Sequence, residues 1–346
     1  METIIKRVDP DRPDPETISE AAEWIKKGWT VAFPTETVYG LGADAFLPEA
    51  ARRIYEAKGR PSDNPLIIHI AKKEDLLRVA AEVPPEARAL ADAFWPGPLT
   101  MILKKRDEVP YETTGGLDTV AIRMPSHPVA AALIRESGGF IAAPSANTSG
   151  RPSPTRAEHV AEDLTGRIPY LIDGGEVGLG IESTIIDLSV EEPMILRPGS
   201  ITADSLSEVI GTVKADPGLK ESDANIRPKA PGMKYRHYAP RAELILVEGS
   251  QEDVTARINE LTAGNTCCGV ICSSETRDLY RTGIVKCIGS RQDPKEIARH
   301  LYGILREFDA LGVERIYSEV FSDDGVGTAV MNRLEKAAGH RRIRAR

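Results

Sequence analysis

In Lys58-Gly59-Arg60-Pro61-Ser62-Asp63-Asn64-Pro65 two cations stand two residues apart in a loop whose prolines restrict the backbone. Such a pair suits phosphate or carboxylate, the Arg guanidinium offering a bidentate fork and the Lys ammonium a point charge. A solvated surface pair is the plain alternative. Arg123, in Ala121-Ile122-Arg123-Met124-Pro125, interrupts an apolar run and must find an anion or lie at a sheet's edge. Arg197 ends a similar run in Ile195-Leu196-Arg197-Pro198-Gly199. Lys58, Arg60, Arg123 and Arg197 thus gather cationic charge at strand and loop ends, and an anionic substrate is the economical reading.

Neutral polar groups cluster in the same kind of place. Pro34-Thr35-Glu36-Thr37-Val38-Tyr39-Gly40-Leu41-Gly42 reads as a strand exit into a turn, with Thr hydroxyls and bare Gly backbone available to a ligand or simply capping the turn. Ala142-Ala143-Pro144-Ser145-Ala146-Asn147, continued by Thr148 to Thr155, puts small polar side chains directly after a strand, where open α/β sheets place ligands. Ser183 and Thr184 stand at a strand entry, and His69 at a strand end, where a satisfied structural histidine is the alternative. No G-x-x-x-x-G-K-[ST] loop, G-x-G-x-x-G turn, G-x-S-x-G elbow or H-E-x-x-H pair occurs. Arg, Lys, Ser, Thr and Asn without an evident nucleophile suit positioning and charge stabilisation of a phosphoryl or nucleotidyl transfer.

These residues need a scaffold, and the hydrophobic periodicity supplies one. Ile18, Ala21, Ala22 and Ile25 recur at helical spacing before Gly28, and residues 30–34 then read as a buried strand. Helices at 50–55, 73–81 and 129–136 alternate with strands at 66–70, 99–103, 119–123, 140–143, 168–172 and 184–187. A mixed α/β unit with a large twisted sheet is expected over residues 1–213. Residues 214–240 are rich in Pro and Gly and read as a linker. Residues 241–346 repeat βαβ logic, including a long amphipathic helix at 294–311, and predict a small Rossmann-like α/β domain.

The 346 residues carry 44 Lys plus Arg against 52 Asp plus Glu, a net charge of −8, which argues against a surface devoted to nucleic acid. Apolar runs fall far short of the ~20 residues that span a bilayer, and the N-terminus lacks a signal-peptide apolar block, so a cytoplasmic protein is expected. The four cysteines, at 267, 268, 272 and 287, lack paired metal-ligand spacing and read as buried thiols.

The ordered motifs Pro34 to Gly42, Lys58-Gly59-Arg60-Pro61, Trp95-Pro96-Gly97-Pro98-Leu99-Thr100, Arg123-Met124-Pro125, Ala143-Pro144-Ser145-Ala146-Asn147 and Leu196-Arg197-Pro198-Gly199 resemble those of the YrdC-type domain. With Ala230-Pro231-Gly232-Met233-Lys234-Tyr235-Arg236-His237-Tyr238-Ala239-Pro240 and the C-terminal domain, the chain resembles the two-domain threonylcarbamoyl-AMP synthase family. That resemblance implies a nucleotidyltransferase that condenses L-threonine, bicarbonate and ATP into threonylcarbamoyl-AMP and pyrophosphate. The product would pass to a tRNA threonylcarbamoyltransferase for modification beside the anticodon, with no strong direct nucleic-acid binding and no membrane partner. It places Thr35, His69, Arg123 and Ser183 around threonine and bicarbonate. It places Lys58, Arg60, Ser62, Thr119, Ala143, Ser145, Asn147, Ser153, Arg197 and Tyr235 around ATP, with Lys58 and Arg60 catalytic. Mg²⁺ is expected on the ATP phosphates, without a dedicated protein cage. The linker is expected to fold over the cleft as a lid with Tyr235 near the nucleotide. One rival is a double-stranded RNA or tRNA binder without catalysis, disfavoured by the acidic charge and the lack of an aromatic stacking motif. Another is a hydrogenase-maturation carbamoyl transferase, whose zinc-finger-like cysteines and acylphosphatase segment are missing.

Overall fold

The structure, a computed structural model, describes residues 1–219, 230–231, 237–265 and 267–346. The chain divides into two compact units, Met1–Ser149 with Ser153–Tyr235, and Gly150–Pro152 with Arg236–Arg346.

Local signals explain the helices that matter most to the first unit. In α1 (Pro15–Lys26) the Asp14 carboxylate accepts the Thr17 N–H at 2.9 Å, and Pro15 opens the first turn. Its buried stripe is Ile18, Ala21, Ala22 and Ile25. α2 (Pro48–Lys58) stops because Gly59 takes a left-handed φ of 60°, which leaves Lys58 as the last helical residue, its side chain buried. α3 (Leu76–Val79), α4 (Pro85–Phe94), α5 (Tyr111–Thr114), α6 (Pro128–Glu136), α7 (Ala157–Leu164) and α8 (Ala203–Ile210) complete the unit's described helices.

Its strands are β1 (Ile4–Arg7), β2 (Val31–Phe33), β3 (Gly40–Asp44), β4 (Ile67–Ile70), β5 (Leu99–Lys104), β6 (Thr119–Arg123), β7 (Phe140–Ala143), β8 (Tyr170–Asp173), β9 (Thr184–Asp187), β10 (Met194–Arg197) and β11 (Lys214–Ala215). Among the described residues they form one mixed sheet in the order β1-β8-β2-β3-β7-β4-β6-β5-β9-β10-β11, the large mixed sheet expected. Alternation along the strands builds two faces. Ile68, Met101, Ile122 and Ile186 enter the main core, while their neighbours Ile67, Ile102, Ala121 and Ile185 pack on the opposite face with Leu196 and Ala230.

Several elements differ from expectation. The segment Pro34 to Gly42 does not remain a turn, because β3 begins at Gly40 and pairs antiparallel with β2 and β7. A Cβ on Gly42 would lie 2.5 Å from Ile141 Cγ2 and 2.7 Å from Phe33 Cε1, so glycine is what lets these strands close up. Residues 73–81, expected as one helix, form a 3₁₀ turn over Lys73–Asp75 and then the short α3. β1, α4, α7 and α8 went unread; α4 starts at Pro84-Pro85, which looks like a breaker in sequence but suits a helix's first turn.

In the second unit β12 (Glu243–Glu248), β13 (Cys268–Cys272), β14 (Ile284–Cys287), β15 (Arg315–Glu319) and β16 (Arg342–Arg344) form a parallel sheet in the order β14-β13-β15-β12-β16. Its helices are α9 (Gln251–Thr262), α10 (Pro294–Leu311) and α11 (Val326–Ala338). This is the second α/β domain expected, with β16 unforeseen. Buried Glu319 accepts from Ser273 N at 3.1 Å, Tyr280 Oη at 2.6 Å, Arg291 Nη2 at 2.7 Å and the Thr276 hydroxyl. Residues 150–152 belong to this unit because α10 holds them: Arg306 Nε and Nη2 donate to Pro152 O at 3.1 and 2.6 Å, and Arg151 pairs with Asp309 at 3.3 Å. Of the cysteines, Cys268 and Cys272 are buried, Cys287 is half-buried and Cys267 is exposed, so the reading of four buried thiols holds for two. Among the described residues no helix is long and apolar enough to cross a membrane.

Candidate active site

A polar row crosses the sheet where β4 and β6 end. His69 lies opposite Arg123 in the parallel β4–β6 ladder, and Arg123 lies opposite Thr100 in the antiparallel β5–β6 ladder. Residues directly opposite one another share a face, so the three side chains project together. Thr100 Oγ1 is 2.8 Å from Ser183 Oγ, which enters β9, and Arg197 closes the row by donating Nε to Ser183 O at 3.0 Å and Nη2 to Ser183 Oγ at 3.1 Å. The apolar residues one alternation earlier, Ile67, Ala121, Ile102 and Ile185, floor this row.

All five side chains are buried, and electrostatics sets their states. His69 is driven down to a pKa of about 3, first by burial and then by the Arg123 charge, while the Ile67 and Ile141 carbonyls pull weakly the other way. It is therefore a neutral imidazole, with Nδ1 donating to Ile67 O at 3.0 Å and the ring edge-on to Phe33. Arg123 does find an anion although it sits well inside the sheet. Its Nη2 is 2.8 Å from Glu36 Oε1, at angles that make an ion pair but no hydrogen bond. Both Glu36 oxygens, and Nε and Nη2 of Arg123, are buried without a hydrogen-bond partner.

Neighbouring loops carry the remaining groups. Thr35 Oγ1 is 2.8 Å from Thr37 Oγ1 and donates to Val38 O at 2.6 Å, shaping the turn that presents Glu36. Buried Ser153 donates to the Glu182 carboxylate at 2.5 Å, one residue before Ser183. Lys58 Nζ donates to the Ser145 and Asn147 carbonyls, and Ser145 Oγ donates to Asn147 Oδ1 at 2.6 Å, so these three expected residues meet. Ala143 lies opposite Ile67 on β7 and β4, just before this loop. Arg60 turns back on its own loop, donating to Asn64 O at 3.2 Å and Pro65 O at 3.1 Å.

The expected residues thus fall into a His69, Arg123, Ser183 and Arg197 group and a Lys58, Ser145 and Asn147 group. Thr119 stands at the far end of β6 from Arg123, about 13 Å along the strand, on the side where β4 leaves Pro65. Ser62 is exposed. Tyr235 lies outside the described residues, as do Gly232, Met233, Lys234 and Arg236; Ala230 is buried in the apolar floor and Pro231 O accepts from Arg197 Nη1 at 3.4 Å. Glu36, Thr100 and Glu182 were missed, although Glu36 and Thr100 lie inside motifs read from the sequence and Glu182 directly precedes Ser183. The signal for Glu36 was the demand of Arg123 for an anion.

One motif braces the site. In Trp95-Pro96-Gly97-Pro98, Gly97 N donates to Met124 O at 2.8 Å, Pro98 O accepts from Thr184 N at 3.0 Å and Trp95 Nε1 donates to Leu99 O at 2.7 Å. That turn ties the end of β6 to the start of β9, holding Arg123 beside Ser183.

Residues 23–199 match a family profile described as telomere recombination (Sua5, YciO and YrdC), and residues 201–339 match one described as the threonylcarbamoyl-AMP synthase C-terminal domain. The chain is 52% identical over 332 residues to a threonylcarbamoyl-AMP synthase of Bacillus subtilis, covering 96% of this chain and 95% of that one. It is 52% identical over 328 residues to the Pyrococcus abyssi enzyme of that name, covering 94% of each. The crystal structure of P. abyssi Sua5 complexed with L-threonine superposes with a TM-score of 0.94 at 50% identity, over 99% of this chain and 100% of that one.

Proposed function

The chain belongs to the threonylcarbamoyl-AMP synthase family in its two-domain form, and from that premise we propose how its residues carry the reaction. The activity is that of a nucleotidyltransferase: L-threonine and ATP are converted to threonylcarbamoyl-AMP, an intermediate of tRNA modification. Bicarbonate supplies the carbamate carbon and pyrophosphate leaves. The threonine nitrogen bonds to the bicarbonate carbon with loss of water, and a carbamate oxygen then attacks the α-phosphorus as the bond to pyrophosphate breaks. Every partner in that second step is anionic, so the protein's task is to hold them together and offset their repulsion.

The observation that carries this assignment of roles is the buried row of His69, Arg123, Thr100, Ser183 and Arg197 on one sheet face. Arg123, with Thr35, neutral His69 and Ser183, receives threonine and its carbamate. Arg197, joined to Ser183 by two hydrogen bonds, stands where the carbamate meets the nucleotide. The loop of Ser145, Asn147 and Ser153, with Ala143, Thr119, Ser62, Lys58 and Arg60, serves ATP; Lys58 does so in part by fixing that loop through its backbone carbonyls.

Mg²⁺ enters with ATP. The ion would be held by phosphate oxygens and water, without a dedicated protein cage. Such an ion would neutralise phosphate charge. A lid role for the linker is supported by Ala230, which lies in the apolar floor, and by Pro231 O, which accepts from Arg197 Nη1 at 3.4 Å. The product passes to a tRNA threonylcarbamoyltransferase.

Purified protein incubated with ATP, bicarbonate and single amino acids tests the reading through pyrophosphate release. Release dependent on threonine is expected. Release without threonine, or none with it, overturns the assignment.

A further inference from the structure

We infer that Glu36 is the counter-ion of the substrate ammonium, so that Glu36 and Arg123 together read an α-amino acid as a zwitterion. The inference rests on threonine occupying the Arg123 end of the polar row.

A buried ion pair ordinarily saturates itself with hydrogen bonds, because a buried charged group left without them is costly. This pair does not. Arg123 Nη2 approaches Glu36 Oε1 to 2.8 Å, yet neither Glu36 oxygen and neither Nε nor Nη2 of Arg123 makes a hydrogen bond. Arg123 is 5% exposed and Glu36 14%, so bulk water is a poor substitute. Donors and acceptors of opposite charge, side by side and unspent, form the complement of a molecule that carries a carboxylate and an ammonium on one carbon. The substrate carboxylate takes the guanidinium donors and the substrate ammonium donates to the Glu36 oxygens. Both buried charges are satisfied at once, and Coulomb attraction survives because both partners are desolvated.

The surroundings hold Glu36 ready for that role. Leu179 N donates to Glu36 O at 2.9 Å and Gly180 N to Thr37 O at 3.1 Å, while the Thr35–Thr37 hydroxyl contact of 2.8 Å braces the turn on its other side. Arg123 is fixed by its place in the β4–β6–β5 ladders. His69, the nearest titratable neighbour of Arg123 in register, is neutral and does not compete for the carboxylate. A ligand with a hydroxyl in place of its ammonium offers Glu36 a single neutral hydrogen bond and no positive charge, which makes Glu36 a specificity-determining residue.

The full-length protein tests this by calorimetric titration with L-threonine, with 2,3-dihydroxybutyrate, in which a hydroxyl replaces the ammonium, and with ATP. Wild type is expected to bind threonine about ten- to a hundredfold more tightly than the hydroxy acid. Glu36→Gln should abolish most of that preference by weakening threonine while leaving ATP affinity unchanged. Glu36→Asp, which keeps the charge on a shorter arm, should retain an intermediate preference and covers the case of a Gln variant that does not fold. Equal binding of the two acids by wild type, or a full preference in Glu36→Gln, overturns the inference. Threonine-dependent pyrophosphate release by wild type in that same event would leave the synthase reading standing, whereas its absence would mean that the synthase reading itself had failed.

Discussion

His69 and Arg123 stand opposite each other in the β4–β6 ladder, and burial first, then the guanidinium, holds the imidazole neutral. The folded pKa of about 3 lies below the ordinary 6.5, so the unfolded chain binds the extra proton first. The stability that depends on neutral His69 is fully present above pH 6.5 and drains away as pH falls toward 3. Thermal melts at pH 7 and pH 5 should therefore show a larger drop for wild type than for His69→Gln, and equal drops would contradict the assignment. Activity between pH 7 and 8 should show no ionisation attributable to His69.

Ser183 is the hub through which Arg197 is aimed, since its Oγ meets both Thr100 and the guanidinium. Ser183→Ala removes both contacts at about 1–3 kcal/mol, so threonine-dependent turnover should fall about ten- to a hundredfold with the fold intact by circular dichroism. Ser183→Thr, which restores the hydroxyl, should recover part of the loss.

Lys58 satisfies two backbone carbonyls, at Ser145 and Asn147. Lys58→Met fills similar volume without a donor and strands those acceptors in a buried site, at a cost on the order of 1–3 kcal/mol. Reduced melting temperature together with weaker ATP binding is the expected pair of results. A variant that loses only catalysis, with ATP affinity and stability unchanged, would assign Lys58 to the chemistry alone.

Ala230 is fully buried among Ile67, Ile102, Ala121, Ile185 and Leu196. Ala230→Asp places an unpaired carboxylate there and should expel the segment from the sheet face, releasing Pro231 from Arg197. Turnover should drop about tenfold or more, with the first unit still folded by circular dichroism. Unchanged turnover would remove the lid from the account.

Gly199 lies against β9, where a Cβ would come 2.6 Å from Thr184 Oγ1 and collide with Thr184 N. Gly199→Ala must displace backbone rather than a flexible side chain, so chemical denaturation should show a loss of about 1–3 kcal/mol. A neutral result would mean that this turn yields more readily than its packing indicates.

Residue types and their local order were enough to reveal the cations, the polar loops, the α1, α2 and α10 helices and the βαβ character of the second unit. These depend on periodicity, caps and turn residues that act over a few positions. β3 escaped because its glycines look like turn residues until Ile141 and Phe33, far apart in sequence, press against them. α4 escaped because Pro84-Pro85 reads as an ending.

That Arg, Lys, Ser and Thr would gather at strand and loop ends was legible from residue types and local order, because charge and hydrogen-bonding capacity belong to side chains wherever the chain goes. Which of them meet depends on the sheet. Strand order β4-β6-β5-β9 and its register bring residues 69, 123, 100 and 183 into one row, and a loop after β2 carries Glu36 to Arg123. Those neighbours are up to 87 residues apart in the chain and are chosen by burial of the two sheet faces. A shift of one residue in any ladder would have turned the same side chains into the opposite core.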